Sequence, residues 1–241
     1  AKQRMEKLVG NLKLALAERI EILPWMGDST KTLALEKLNT MNVKVGYPDE
    51  WKDYSTLEIK NDNYLANIMR ARQWNYQDML GKINKPVDKS EWFMPPQMVN
   101  AYYNPFYNEI VFPAGILQPP FFYQNGDDAV NYGAIGMVIG HEMTHGFDDK
   151  GRLFDKDGNM TDWWTKDDAE RFNERAQKLV KQYNNVKIID TIMANGELSL
   201  GENIADLGGL NIALTAFKNT EQYNNGKEID GFTPLQRFFL A

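Results

Sequence analysis

Apolar residues recur at helical spacing in the first third of the chain. Over 5–20 they fall every three or four positions, which predicts an amphipathic helix that Pro24 ends. A second helix is predicted after the capping candidates at 28–30, and a third over 61–80. Apolar and polar residues alternate at 43–48, which predicts a short strand between the second and third helices.

The pattern changes near residue 90, where prolines and β-forming residues replace the helical spacing. Runs at 99–103 and 108–113 flank Asn104-Pro105 and predict a hairpin whose prolines suit the edge of a sheet. The apolar run that follows, 115–122, contains adjacent prolines and is therefore predicted to be a loop. Burial in the core explains this run most simply, although it could also line an apolar pocket.

Three glycines mark the helix predicted after Asp127 and Asp128, the residues expected to cap it. Gly133, Gly136 and Gly140 stand at intervals of three and four. Each glycine lowers helix stability by up to ~1 kcal/mol relative to alanine. We therefore expect another backbone to approach this side of the helix closely.

Two more features complete the predicted organisation. Residues 155–159 resemble part of a calcium-binding loop, but Trp164 stands where the bidentate glutamate would be, so a turn is predicted. Thr165 is predicted to cap a helix that ends near Tyr183. The whole chain is therefore predicted to be mainly α with a small β-sheet, an α+β class.

Composition and charge narrow the possible functions. The 241 residues are 43% hydrophobic and 25% charged, which are ordinary values for a globular protein with a core. A formal net charge of −6 argues against binding to nucleic acid or to an acidic membrane surface. The absence of cysteine excludes disulfides and any cysteine-ligated zinc site. No apolar run reaches the ~20 residues of a membrane span, and both ends are expected to be cut from a longer protein.

The chemistry of the chain centres on His141, Glu142 and His145. Two histidines four residues apart face the same side of a helix, so both rings can bind one metal ion while the glutamate lies beside it. The chain contains no other histidine. Random placement of two histidines would produce this pattern in roughly 5 of 10,000 cases. The pattern therefore favours a zinc site with Glu142 as general base over two histidines buried in the core.

A catalytic zinc site needs a third protein ligand, which here must be a carboxylate because no further histidine or cysteine is present. Gly151 occupies the position where a metzincin has its third histidine. The best candidate is Glu202, with Asp206 four residues later on the same helix face. Asp206 could accept the second N–H of a ligating imidazole. The alternative, that both acids only cap or solvate a helix, remains open from these residues alone.

Longer motifs connect the chain to a known family. It resembles the neprilysin-like zinc metalloendopeptidases, which are relatives of the thermolysin-like enzymes. The resemblance extends over essentially the whole chain and is densest from about residue 90 onward. It rests on NAYY at 100–103, FPAGILQPPFF at 112–122, VIGHEMTHGFDD at 138–149, DWW at 162–164 and GENIAD at 201–206.

The resemblance implies a role for each matching residue. The implied zinc ligands are His141, His145 and Glu202, for one Zn²⁺ ion per chain. Glu142 would act as the catalytic base, and Asp206 would orient His141. The implied substrate-binding residues are Asn100 and Ala101, on an edge strand that hydrogen-bonds the peptide backbone, and Ile116, Phe121, Met137 and Val138, around the residue after the scissile bond.

The resemblance also implies a domain organisation. Residues 1–75 would belong to a mostly helical domain that roofs the active site, and residues 76–241 to a thermolysin-like zincin catalytic domain. Members of the family use a further histidine and an arginine, C-terminal to the GENIAD motif, to stabilise the transition state. This chain ends at Ala241, so we expect the catalytic domain to be incomplete unless a separate chain supplies that segment.

The function expected from these features is that of a zinc-dependent endopeptidase. It would hydrolyse short peptides and prefer a large apolar residue after the scissile bond. The alternative is a catalytically incomplete, zinc-containing fragment that binds peptides without cleaving them. A structural metal site is disfavoured because no fourth histidine or cysteine exists. Because vertebrate members of the family rely on disulfides and this chain contains no cysteine, we expect a bacterial protein. Its expected location is the cell envelope or the outside of the cell, with the cytoplasm left open.

Overall fold

The computed structural model describes all 241 residues, which form nine α-helices and five short strands. The helices are α1 (Lys2–Ile22), α2 (Asp28–Thr40), α3 (Tyr64–Leu80), α4 (Asp128–Asn131), α5 (Met137–His145), α6 (Lys166–Asn184), α7 (Leu200–Lys218), α8 (Glu221–Asn225) and α9 (Pro234–Leu240). The strands are β1 (Asn42–Gly46), β2 (Tyr102–Asn104), β3 (Glu109–Pro113), β4 (Lys187–Ile189) and β5 (Ile192–Met193). The predicted mainly α class with a small sheet is confirmed.

The chain divides into two compact units. One contains residues 1–47 together with 94–241, and the other contains residues 48–93. The smaller unit is built on α3, which has no buried residue along its length. Within it, the indole N–H of Trp74 donates a hydrogen bond to Thr56 Oγ1 at 2.8 Å. The predicted boundary after residue 75, between a roofing domain and a catalytic domain, remains a prediction.

The three-stranded sheet has the order β1-β3-β2, with β3 in the centre. β2 and β3 form the predicted antiparallel hairpin, in which Tyr103 lies opposite Ile110. β1 pairs with β3 in parallel, so Val43 lies opposite Ile110 on the other side. Every residue of β3 is buried, which suits a central strand covered on both faces. β2 pairs with β3 on one side and is therefore an edge strand of this sheet.

Helices α5 and α7 pack against each other through glycines. A Cβ atom on Gly140 would lie 2.8 Å from the Cα of Gly209, and a Cβ on Gly209 would lie 2.6 Å from the backbone nitrogen of His141. A Cβ atom on Gly133 would likewise lie only 2.1 Å from the carbonyl oxygen of Phe238. The predicted close approach of another backbone is therefore confirmed at Gly133 and Gly140. It is wrong at Gly136, where a Cβ atom would lie 3.4 Å from the carbonyl oxygen of Asn131 in the preceding turn and 3.5 Å from the Leu8 side chain.

Two helices differ from the sequence-based prediction, one in its start and one in its continuity. α2 begins at Asp28 with Gly27 as its N-cap, so the predicted caps at 28–30 are wrong. The backbone N–H of Gly27 donates to the carboxylate of Asp168, which replaces a local capping side chain. The helix predicted after Asp127 is interrupted, because residues Tyr132–Gly136 form a π-helical turn between α4 and α5.

Other local predictions are confirmed. Thr165 caps α6 by accepting the backbone N–H of Asp168, and Asp155 accepts backbone N–H groups within a turn.

None of the helices is long and apolar enough to span a lipid bilayer.

Candidate metal centre

Three potential metal ligands converge where α5 meets α7. His141 and His145 lie one turn apart on α5, and Glu202 lies in the first turn of α7. The two Nε2 atoms are 2.9 Å apart. Glu202 Oε2 lies 3.3 Å from the Nε2 of His141 and 3.6 Å from that of His145. The ligand atoms of all three residues lie within 4.8 Å of one another, so one ion can contact them all.

The hydrogen bonds of the two rings favour a cation between them. His141 Nδ1 lies 2.9 Å from Asp206 Oδ1, and His145 Nδ1 lies 2.7 Å from Asp148 Oδ2. When each Nδ1–H is donated to its carboxylate, each Nε2 keeps its lone pair. Two lone pairs and the carboxylate of Glu202 then face one another without a proton donor. Two imidazole nitrogens and one carboxylate are a donor set that zinc accepts, so the residues fit this ion.

Asp148 is the site residue that sequence analysis missed. It lies in the loop after α5, is almost fully buried, and accepts the N–H of His145 through one oxygen. Its other oxygen accepts the backbone N–H groups of Lys150 at 2.9 Å and Gly151 at 2.7 Å. A signal existed, since a ligating histidine commonly gives its second N–H to a carboxylate and Asp148 lies only three residues after His145.

Glu142 points away from solvent beside the two histidines and is 7% exposed. Burial raises its pKa to about 7, and the negative charge of Glu202 acts in the same direction. The charge of His145 and a hydrogen bond from the backbone of Tyr103 oppose this shift. A carboxyl group with a pKa near neutrality can both accept and return a proton, which is the property of a general acid–base catalyst.

The neighbouring charges also act on His145. Burial would lower its pKa, but the hydrogen bond and charge of Asp148 outweigh this effect, with further contributions from Glu142 and Glu202. The net direction is upward. The surroundings of this ring therefore stabilise positive charge, as a site for a cation requires.

A cavity of about 310 Å³ opens beside the donor cluster. Its walls come from β2 and the turn after it, from the loop after α5, and from the start of α7. The lining residues are Tyr103, Pro105, His145, Asp148, Lys150, Gly151, Phe154, Leu198, Gly201 and Glu202. The donor cluster is thus accessible from a concave surface, which a substrate molecule needs.

The predicted substrate-binding residues lie at different places. Asn100 and Ala101 directly precede the first paired residue of β2, and the side chain of Asn100 accepts the N–H of Ala101. None of the four predicted apolar residues lines the 310 Å³ cavity. Those four are Ile116, which is buried, Phe121 and Val138, which are partly buried against the core, and Met137, which is partly exposed at the start of α5. Their roles, and those of Asn100 and Ala101, remain predictions.

Comparisons with known proteins agree with this geometry. A family model described as "Peptidase family M13" matches residues 100–241, and a second model with the same description matches residues 1–48. The chain is 40% identical over 252 residues to an endothelin-converting enzyme homolog of Locusta migratoria, covering 100% of this chain and 34% of that protein. It is 42% identical over 238 residues to human neprilysin, covering 95% of this chain and 32% of that one. The chain thus spans about a third of the length of these curated relatives.

A solved structure gives the same result for the fold. The crystal structure of the Mycobacterium tuberculosis zinc metalloprotease Zmp1 with an inhibitor superimposes with a TM-score of 0.92 at 49% sequence identity. The superposition covers 99% of this chain and 37% of that one. The structure of PepO from Lactobacillus rhamnosis matches with a TM-score of 0.86 at 31% identity, covering 99% of this chain and 37% of that one. The predicted resemblance and the predicted α+β metallopeptidase fold are confirmed.

Proposed function

This chain belongs to peptidase family M13, and we propose that it forms the metal-binding part of a zinc-dependent endopeptidase. The observation that carries the proposal is the convergence of two Nε2 atoms and one carboxylate within 4.8 Å. The proposed ligands are His141, His145 and Glu202, which would hold one ion. When bound there, zinc would polarise a scissile carbonyl and lower the pKa of a water molecule toward ~7.

The proposed role of Glu142 is to move a proton. Its carboxylate would take the proton from the attacking water and deliver it to the leaving nitrogen of the peptide. Burial supports this role, because it raises the pKa of Glu142 to about 7 and so brings it close to the operating pH. The backbone of Tyr103 acts on this pKa in the opposite direction, because it stabilises the charged carboxylate that accepts the proton.

The substrate would bind in an extended form along the edge of the sheet. β2 pairs with β3 on one side, and its residue Tyr103 lines the cavity beside the donor cluster. A peptide that adds to such an edge is held by main-chain hydrogen bonds, while pockets read its side chains. Asn100 and Ala101, just before β2, would extend this contact to the neighbouring residues of the peptide.

The central test removes only the proton acceptor. The Glu142→Gln variant of the full chain should retain zinc, measured by elemental analysis, but lose at least 100-fold in hydrolysis of a quenched fluorescent peptide. Glu174→Gln, on the exposed face of α6, is the matched control and should keep both properties. Full residual turnover in Glu142→Gln would remove this residue from the mechanism. Zinc and peptide binding without cleavage by the unaltered chain would favour the peptide-binding alternative instead.

The proposed substrate preference needs a separate measurement. Two peptides that differ only in the residue after the scissile bond, leucine or aspartate, should be cleaved at different kcat/KM. A pocket lined by Ile116, Phe121, Met137 and Val138 would favour leucine by more than 10-fold, since burying a large aliphatic side chain contributes about 1.5–3 kcal/mol. Equal kcat/KM values for the two peptides would contradict the assignment of these four residues.

A further inference from the structure

Lys37, on α2, is a buried lysine whose ammonium group is bound by backbone carbonyls. The residue is 1% exposed. Its Nζ donates to the carbonyl oxygens of Gly146 at 2.7 Å, Gly151 at 2.8 Å and Phe154 at 2.6 Å. An ammonium group has three N–H donors, so these three carbonyls use its full capacity.

The three carbonyls belong to one segment, the 146–154 loop that follows α5. This loop carries Asp148, whose carboxylate accepts the Nδ1–H of His145 and the backbone N–H of Gly151. Gly151 thus binds Lys37 through its carbonyl and Asp148 through its amide. A continuous set of hydrogen bonds connects Lys37 to the ring of His145 through this loop.

Burial of a charge at this position is costly. Burial lowers the pKa of Lys37 to about 7, and the negative charges of Asp148 and Asp155 act in the opposite direction. The aromatic rings of Tyr103, Phe147 and Trp163 lie with their centroids 5.6–5.9 Å from Nζ. An apolar side chain of similar length would fill the same space without the cost of desolvation, so packing alone does not account for a lysine here.

We propose that Lys37 is a positioning residue for the metal centre, which fixes the 146–154 loop so that Asp148 holds the ring of His145 in its ligating orientation. The inference rests on the zinc site of the proposed function. Lys37 itself touches neither the donor cluster nor the proposed substrate. Its effect on metal binding passes through the loop, which distinguishes it from the ligands and from Asp206.

The first experiment measures zinc affinity rather than catalysis. Competition with a chromogenic chelator at fixed pH should show a 10–100-fold weaker affinity in Lys37→Met, the loss typical of residues that orient a ligand. Lys31→Met is the matched control on the same helix, because Lys31 Nζ donates to the carbonyl of Glu21, outside the loop. The control should bind zinc as the unaltered chain does.

A double-mutant cycle tests the route. If Lys37 acts through Asp148, Lys37→Met combined with Asp148→Ala should bind zinc no more weakly than Asp148→Ala alone. Lys37→Met combined with Asp206→Ala should instead show the product of the two single losses, because Asp206 orients His141 from α7. Multiplying losses in the Asp148 pair would overturn the inference.

A measurement on the unaltered side chain covers the case in which Lys37→Met does not fold. The ¹⁵N resonance of the Lys37 ammonium should shift when zinc is added to the unaltered chain, and this shift should disappear in Asp148→Ala. A resonance that does not respond to zinc would overturn the inference. Failure of the unaltered chain to bind zinc would defeat the proposed function, whereas equal affinities of that chain and Lys37→Met would defeat only the role of Lys37.

Discussion

At the scale of single residues, Asp168 shows how one carboxylate can organise two helices. It is fully buried and accepts hydrogen bonds from the Gly27 N–H at 2.9 Å, from Thr30 Oγ1 at 2.6 Å and from Thr165 Oγ1 at 2.7 Å. Arg171 adds an ion pair at 2.6 Å. Burial alone would raise the pKa of Asp168, but these hydrogen bonds outweigh it and hold the pKa well below its usual range.

This shift predicts acid sensitivity of the folded chain. Because the pKa of Asp168 is lower in the folded than in the unfolded state, its contribution to stability is complete above the unfolded value of about 3.9 and is lost as the pH falls below it. Asp168→Asn should lower the free energy of unfolding at pH 6 by on the order of 2 kcal/mol, since the buried donors lose a charged acceptor. Urea unfolding at pH 6 and pH 3 should show a smaller difference between the pH values in the variant. An unchanged pH dependence would contradict the assignment.

Sequence patterns identified some site residues and missed others for a physical reason. His141, Glu142 and His145 are linked by helical periodicity, so their spacing alone predicts a shared face. Elimination restricted the third ligand to a carboxylate, because no other histidine or cysteine exists, and the helical spacing of Glu202 and Asp206 made Glu202 the best candidate. The role of Lys37 was not predicted, because its three acceptors lie more than 100 positions away along the chain. No local pattern marks a side chain whose partners are distant backbone carbonyls.

At the scale of elements, the contact between α5 and α7 sets the position of the donor cluster. Gly209 on α7 faces the backbone of Met137 and His141, and a Cβ atom there would lie 2.6 Å from each. Real Cβ atoms do not approach backbone this closely, so any side chain at Gly209 would force the helices apart. The separation of these two helices also determines the distance between Glu202 and the histidines.

Alanine substitutions at two helical glycines should therefore have opposite effects. Gly209→Ala should lower the free energy of unfolding by about 1–3 kcal/mol through overpacking, and it should weaken zinc binding as α7 moves away. Gly10→Ala, in the interior of α1 with no atom within 4 Å of its Cβ position, should raise stability by about 0.5–1 kcal/mol. Urea unfolding of both variants provides the comparison. Stabilisation by Gly209→Ala would show that the two helices are not held by this contact.

The elements themselves were largely predictable, whereas their ends and partners were not. Apolar residues at helical spacing located α1, α2 and α3, and the capping signal at Thr165 located α6. The start of α2 was misplaced because its cap comes from Asp168, a residue 141 positions after Gly27. The π-helical turn at Tyr132–Gly136 was missed because one extra residue in a turn leaves no clear trace in the apolar pattern.

At the scale of the whole molecule, metal binding and folding should be linked. The ligands come from α5 and α7, so the complete site exists only when both helices are in place. Zinc should therefore stabilise the folded chain by about 2.7 kcal/mol when its free concentration is 100 times Kd. Urea unfolding with zinc and with a chelator measures this difference. A variant that lacks both histidines should unfold identically under the two conditions, and a chelator effect in that variant would point to another site.

At this scale, the sequence did not predict that β1 pairs in parallel with β3. Alternation predicted β1 and a run of β-forming residues predicted β3, but nothing in either run specifies that residues 42–46 lie beside 109–113. This pairing joins residues 1–47 to 94–241 in one compact unit, while residues 48–93 form the other. Pairing between strands distant in sequence depends on the packing of the whole core rather than on local propensity.

The order of the ligands along the chain has a consequence for biosynthesis. The histidines emerge from the ribosome first, and Glu202 follows about 60 residues later. At roughly 5–20 residues per second, the nascent chain presents two imidazoles without their carboxylate for roughly 3–12 s. Tight capture of zinc is therefore expected only after α7 has left the exit tunnel.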